Sequence, residues 1–155
     1  MIFPLHAYRV KNPVPSLGGG TIRYKPIIPI TIIGPSGQLA REALSDSGSD
    51  DVVFPLDYAA HIGVDLSTAL QGHAGGVGST QPVAILFAPV ILLLSDQTET
   101  CRWRAVVGFT QARLRLPLFG IAGGLEHFLT TLDVFNQQLI LLPQPTLPAT
   151  QDLMP

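Results

Sequence analysis

The chain has 155 residues, 46% of them apolar and only 13% charged, with a formal net charge of −2. That is the length of one domain, with enough apolar mass for a sizeable core. No basic stripe or arginine-rich run is present, which argues against nucleic acid as a partner, and so little charge points to apolar surface covered in an oligomer.

Met1 to Gly20 holds Pro4, Pro13, Pro15 and the triplet Gly18-Gly19-Gly20. It reads as an extended arm and a flexible joint rather than packed structure. Thr21 to Ile33 is rich in β-branched residues but interrupted by Pro26 and Pro29, which predicts an edge strand or a bulged one. Gly34-Pro35-Ser36-Gly37 is a turn, and Gln38 to Leu44 is the returning strand. Pro55 to Ile62 places Leu56, Ala59, Ala60 and Ile62 on one helical face, with Gly63 as the stop.

Leu70 to Thr80 contains four glycines and reads as a mobile loop or hairpin tip. Gln81 to Leu94 and Thr98 to Phe109 are two long strands turned by Ser95-Asp96-Gln97. Within the first, Ile85 to Leu94 is about half a membrane span and contains Pro89, so no span is expected. Cys101, the one cysteine, reads as a small buried hydrophobe, and its lack of a disulfide partner fits a reducing, cytoplasmic setting. Met1 to Lys11 has no basic start leading into a long apolar run, so no signal peptide is expected.

Leu114 to Phe119 is a further strand running into Gly120, and Gly124 to Leu129 holds one helical turn. Thr130 to Phe135 and Gln138 to Leu142 form a hairpin about Asn136-Gln137, and Pro143 to Pro155 is a proline-rich tail expected to be disordered. About eight strands with one or two short helices make an all-β domain, a small closed or nearly closed barrel.

Among these elements one stretch is a poor core and a good site. Asp46-Ser47-Gly48-Ser49-Asp50-Asp51 carries three of the eleven acidic residues between two apolar strands. Asp46 is the candidate catalytic carboxylate. The bare Asp-Ser-Gly tripeptide is weak, arising by chance in roughly one chain in ten of this size. Its context adds weight. Ala43-Leu44 precedes it, Asp50-Asp51-Val52-Val53-Phe54-Pro55 comes directly after, and about seventy residues on lies Leu118-Phe119-Gly120.

With those residues the chain resembles the retropepsin-like aspartic peptidases of retroviral and bacterial type, from about Thr21 to Leu142. The corresponding stretches are Ala43 to Phe54, Gly72 to Thr80 and Leu116 to Phe128. The resemblance implies an acid-protease barrel whose strand ending apolar-apolar-Gly crosses behind the active-site loop. It also implies Asp46 as catalyst, Ser47 and Gly48 shaping the loop, Asp50 and Asp51 holding the substrate main chain, and a flap with Gly75, Gly76 and Val77 at its tip. No cofactor and no metal are implied.

The chemistry requires two carboxylates about a shared water, one taking its proton and one donating to the scissile carbonyl. This sequence has one such tripeptide, so the family's chemistry implies a homodimer with Asp46 from each copy facing across a two-fold axis. The terminal strands, Thr130 to Phe135 and Gln138 to Leu142, are the candidates for the dimer sheet. Two departures stand out. Ile121 comes after the closing glycine where the retroviral pattern often has an arginine to pair with Asp50, leaving Arg41, Arg102 or Arg104 as possible partners. Ser45 occupies a position the family usually fills with an apolar residue. These departures favour the alternative of a weak or inactive module that binds peptides or only dimerises.

Other readings fare worse. Gly72 to Thr80 resembles a phosphate loop but lacks its lysine and the strand-then-helix setting. Counted as a calcium loop from Asp46, the acidic run has Gly48 at the third position, Asp51 at the sixth where glycine is needed, and Asp57 at the twelfth instead of glutamate. His6, His61, His73 and His127 are scattered without ligand spacing, and no Gly-x-Ser-x-Gly occurs. Trp103 is expected in core or interface packing.

Overall fold

The longest hairpin sets the frame. In the computed structural model, which describes residues 1–75 and 82–148, β8 (Val83–Ser95) pairs antiparallel with β9 (Thr100–Thr110) from Leu86↔Phe109 to Ser95↔Thr100. Alternation is the reason these segments are strands. Cys101, Trp103, Ala105, Val107 and Phe109 turn inward, and Thr100, Arg102, Arg104 and Val106 turn out. On β8 the inward set is Ala88, Val90, Leu92 and Leu94. The connecting turn is held by Asp96, whose Oδ1 accepts the N–H groups of Thr98 and Glu99.

Four further strands complete the barrel. β4 (Ile27–Gly34) and β5 (Gly37–Ser45) form a hairpin from Ile27↔Leu44 to Gly34↔Gly37. β6 (Val53–Pro55) runs parallel to β9 and leads into α1 (Leu56–Ile62), which ends where Gly63 takes φ 73°. β10 (Leu118–Phe119) lies between β5 and β6. The strand order β4-β5-β10-β6-β9-β8 closes where β8 pairs back onto β4 over Ile30–Ile33 and Leu94–Ile91. Among the described residues the protein is therefore mostly β, with a closed six-stranded barrel and one α-helix. β7 (Leu70–Ala74) extends the sheet on the β8 side, from Leu70↔Phe87 to Ala74↔Val83.

Outside the barrel, β1 (Ile2–Pro4), β12 (Gln138–Pro143) and β11 (Phe128–Asp133) form an antiparallel sheet in that order. β2 (His6–Arg9) pairs with β3 (Ile22–Lys25). The core runs through both layers, with Phe54, Trp103, Phe109, Phe119, Ile28, Leu92 and Leu141 fully buried.

Several expectations change. The first residues are not a free arm. Met1, Phe3 and Leu5 are buried in the common core, and β2 pairs with β3 across the Gly18-Gly19-Gly20 turn. Local prolines and glycines hid the alternation of Phe3 and Leu5 with Ile2 and Pro4. The segment expected as one edge or bulged strand is two strands divided at Pro26, and β4 is interior to the barrel, paired on both sides. Its proline is accommodated by register. Pro29 lies one residue outside the β8 ladder, so the missing N–H lacks no partner there. Pro89 is placed in the same way, between the last β7 pair at Phe87 and the first β4 pair at Ile91. The strand expected from Leu114 is only two residues long. The first part of the tail packs: Gln144 donates to the His127 carbonyl and Leu147 lies against the core.

Candidate active site

The acidic hexapeptide is the connection between β5 and β6, and those two strands are not neighbours. β10 enters between them, parallel to β5 through Leu118↔Leu44 and Phe119↔Ser45, and antiparallel to β6 through Leu118↔Val53. A loop that must span an inserted strand has its backbone donors and acceptors aimed at that strand and at the turn beyond it. Asp46 N–H donates to the Phe119 carbonyl at 3.0 Å, and Ile121 N–H donates to the Ser49 carbonyl at 2.9 Å. Ala122 N–H donates to the Asp50 carbonyl at 2.8 Å, and Val52 N–H returns to the Ala122 carbonyl at 3.2 Å. Below, Gly108 N–H of β9 donates to the Val52 carbonyl at 2.8 Å.

Within the loop, Ser49 N–H donates to the Asp46 carbonyl and closes a four-residue turn. Gly48 N–H donates to Asp46 Oδ1 at 2.9 Å, and Ser49 Oγ donates to the Asp51 carbonyl at 2.8 Å. The Asp46 carboxylate is thus oriented by its own turn and half-buried, while Ser47, Gly48 and Asp50 are exposed at the crest. Among the described residues no second hydrogen bond reaches this carboxylate. Asp46 is in place to accept a proton from a water. Among the described residues no hydrogen bond joins it to a second carboxylate.

The close approach of the two segments explains two glycines. A Cβ on Gly120 would strike the Asp51 carbonyl and stand 2.6 Å from the Ser49 carbonyl oxygen. A Cβ on Gly124 would stand 2.7 Å from both the Gly120 oxygen and Val52 Cγ2. Behind them Trp103, fully buried on β9, donates its indole N–H to the Gly123 carbonyl at 2.9 Å and meets Phe128 edge-on at 5.6 Å. Trp103 is core, as expected. Its grip on the 120–124 turn was not legible, because the chain gives no sign of which carbonyl an indole will reach. Thr110, the one buried polar residue among those described, ties the end of β9 to β8 through the Ala84 carbonyl at 3.0 Å.

Asp50 and Asp51 differ. Asp50 is exposed and has no cation within ion-pair distance among the described residues. Arg41 instead lies over the Tyr58 ring at 5.6 Å, and Ile121 is exposed. Asp51 is half-buried beside a cavity of about 410 Å³ that Arg104, Glu126 and His127 also line. Desolvation raises the Asp51 carboxyl above its ordinary value, and the neighbouring Asp50 charge raises it further. Above that raised pKa the ionised carboxylate opposes folding, and protonation relieves the cost as the pH falls. Asp51→Asn is therefore expected to melt higher than wild type at pH 7 and at the same temperature near pH 3.5. A substitution that gives no gain at pH 7 would contradict this environment.

The other expected site residues are only partly described. Gly75 is exposed just beyond β7, and a Cβ there would meet nothing within 4 Å. Gly76 and Val77 lie outside the described residues. β7 and β8 form the hairpin that leads to and from that segment, and a cleft of about 310 Å³ beside it is lined by Leu56, Gln71, Leu86, Phe109 and Gln111. None of these cleft residues is a candidate site residue from sequence, since Leu56 reads as an apolar helix position and the others as ordinary strand or loop positions. No group of three or more metal-binding side chains is assembled among the described residues. No helix among them is long and apolar enough to cross a membrane.

No protein-family model matches the chain. No curated protein matches it either.

Proposed function

We propose that the protein is an aspartic endopeptidase of the retropepsin-like kind, a homodimer in which the Asp46 carboxylates of two copies share one water and one proton. One observation carries the reading. The Asp46 turn is clamped from below by β10 and the 119–122 backbone, with its carboxylate aimed by Gly48 N–H and its crest open. A rigid, half-buried carboxylate beside an exposed Ser47-Gly48 edge is what two loops need in order to meet without rearranging. In the dimer, one carboxylate takes the proton of the attacking water while its protonated mate donates to the scissile carbonyl. Like charges at that spacing cannot both ionise easily, so the pair titrates as a unit. Asp50 and Asp51 would then hold substrate backbone, and the β7–β8 hairpin would close over it with Gly75, Gly76 and Val77 at its tip.

A second reading, a module that binds peptides or dimerises with little hydrolysis, is favoured by Ile121 and by the absence of a cation beside Asp50 among the described residues. Digestion of a peptide library at pH 4 to 7, read by mass spectrometry over a dilution series, separates the two. Cleavage per chain is expected to fall on dilution as dimers part. A folded dimer that cuts nothing at any pH supports the second reading. A strict monomer with undiminished activity overturns the shared-site mechanism.

A further inference from the structure

The β11–β12 turn exposes the most accessible large apolar side chain among the described residues, Phe135 at 93%. Such a residue on a loose loop would mean little, but this turn is held. Asp133 accepts the Asn136 N–H at 2.9 Å and its side-chain amide at 2.6 Å, Gln137 takes φ 56°, and Leu5 N–H donates to the Gln137 carbonyl. The surrounding sheet is apolar on its open side, with Ile2, Leu129 and Leu142 exposed.

Beside this hairpin lies a groove of about 660 Å³. Leu17, Ile22 and Tyr24 form one wall, Leu132 and Val134 of the same hairpin contribute another, Leu44 reaches it from β5, and Arg23 and Lys25 also line it. Leu44 is two residues from Asp46, so the groove borders the loop that needs a second copy. Charge fits as well. Asp133 at the base of the projecting turn is kept below the usual carboxylate range by the backbone and side-chain N–H groups of Asn136. Arg23 and Lys25 have no carboxylate within ion-pair distance among the described residues, and Lys25 rests over the Tyr8 ring.

We propose that Phe135 of each copy seats in the Leu17–Ile22–Tyr24 groove of the other, a reciprocal knob and hole that sets the dimer. The inference rests on the homodimer proposed above and names what holds it. One chain carries both halves of the contact, so a two-fold axis satisfies both at once and closes the assembly at two. An aromatic anchor in a desolvated pocket is the usual centre of an interface's energy.

The test uses Phe135→Ser, Leu17→Asp and their mixture. Both positions are exposed in the single chain, so circular dichroism and melting should match wild type. In sedimentation, each variant alone is expected to dimerise about thirtyfold or more weakly than wild type. An equimolar mixture is expected to recover mixed dimers, because one intact knob then meets one intact hole. Phe135→Ser dimerising like wild type overturns the inference and leaves the homodimer standing, as does a mixture no better than its components. A wild type that stays monomeric at every concentration overturns both.

Discussion

If the proposed mechanism holds, Asp46→Asn lowers peptide cleavage by at least about a thousandfold, since it removes the group assigned to take the water's proton. The fold should be indifferent. The side chain is half-buried, and an asparagine Oδ1 accepts the Gly48 N–H as the carboxylate does. The dimer should persist, and this gives a sharper result. Added in equal amount to wild type, the variant should draw roughly half of the wild-type chains into mixed dimers. Those carry one carboxylate and one amide, and a lone carboxylate cannot act as both base and acid. Wild-type activity should therefore fall by about half on mixing, an outcome no single-chain active site would produce. Equal cleavage by variant and wild type would exclude Asp46 as the catalyst.

Gly120→Ala is expected to destabilise the protein by about 3 kcal/mol in urea titration, from steric overlap alone. The new methyl group would meet the Asp51 carbonyl and the Ser49 carbonyl, both backbone groups fixed by their own hydrogen bonds. Neither can swing aside as a side-chain tip would. Relief requires parting the 49–51 and 119–122 segments, which costs the bonds that position Asp46. Gly75→Ala is the control. Its Cβ meets nothing within 4 Å, so the change should stay within about 0.5 kcal/mol. If alanine is tolerated equally at both positions, the two backbones are not in the contact described.

The two positions also mark what could be read from the chain. Periodicity and turn residues gave the long β8–β9 hairpin, the terminal hairpin and α1 with its Gly63 stop, because these signals are local. Counting such elements predicts a closed or nearly closed barrel with one or two short helices, and the described residues form a closed six-stranded barrel with one α-helix. The insertion of β10 does not come from such a count. A two-residue strand has no periodicity, and its partner Leu44 is some seventy positions away. Leu118-Phe119-Gly120 stands out in the sequence only through the resemblance, and Leu118–Phe119 lies between β5 and β6. β4 and β1 are hidden in the sequence for the opposite reason. Proline and glycine are strong local signals, and here tertiary register overrides them, placing Pro29 beyond one ladder and burying Phe3 and Leu5. The acidic stretch stood out as a site, but its rigidity comes from Gly120, Ala122 and Trp103, which no spacing rule ties to Asp46.

The inserted strand also has a consequence in time. Because β10 must lie between β5 and β6, the Asp46 turn cannot take its final shape until residues near 120 exist and have folded back. Local hairpins close in microseconds, whereas contacts this distant in sequence form late. During synthesis at roughly 5 to 20 residues per second, the turn waits several seconds for its clamp. The last strand of the barrel to arrive is thus the one that fixes the turn, so a nascent chain carries Asp46 long before its turn is set.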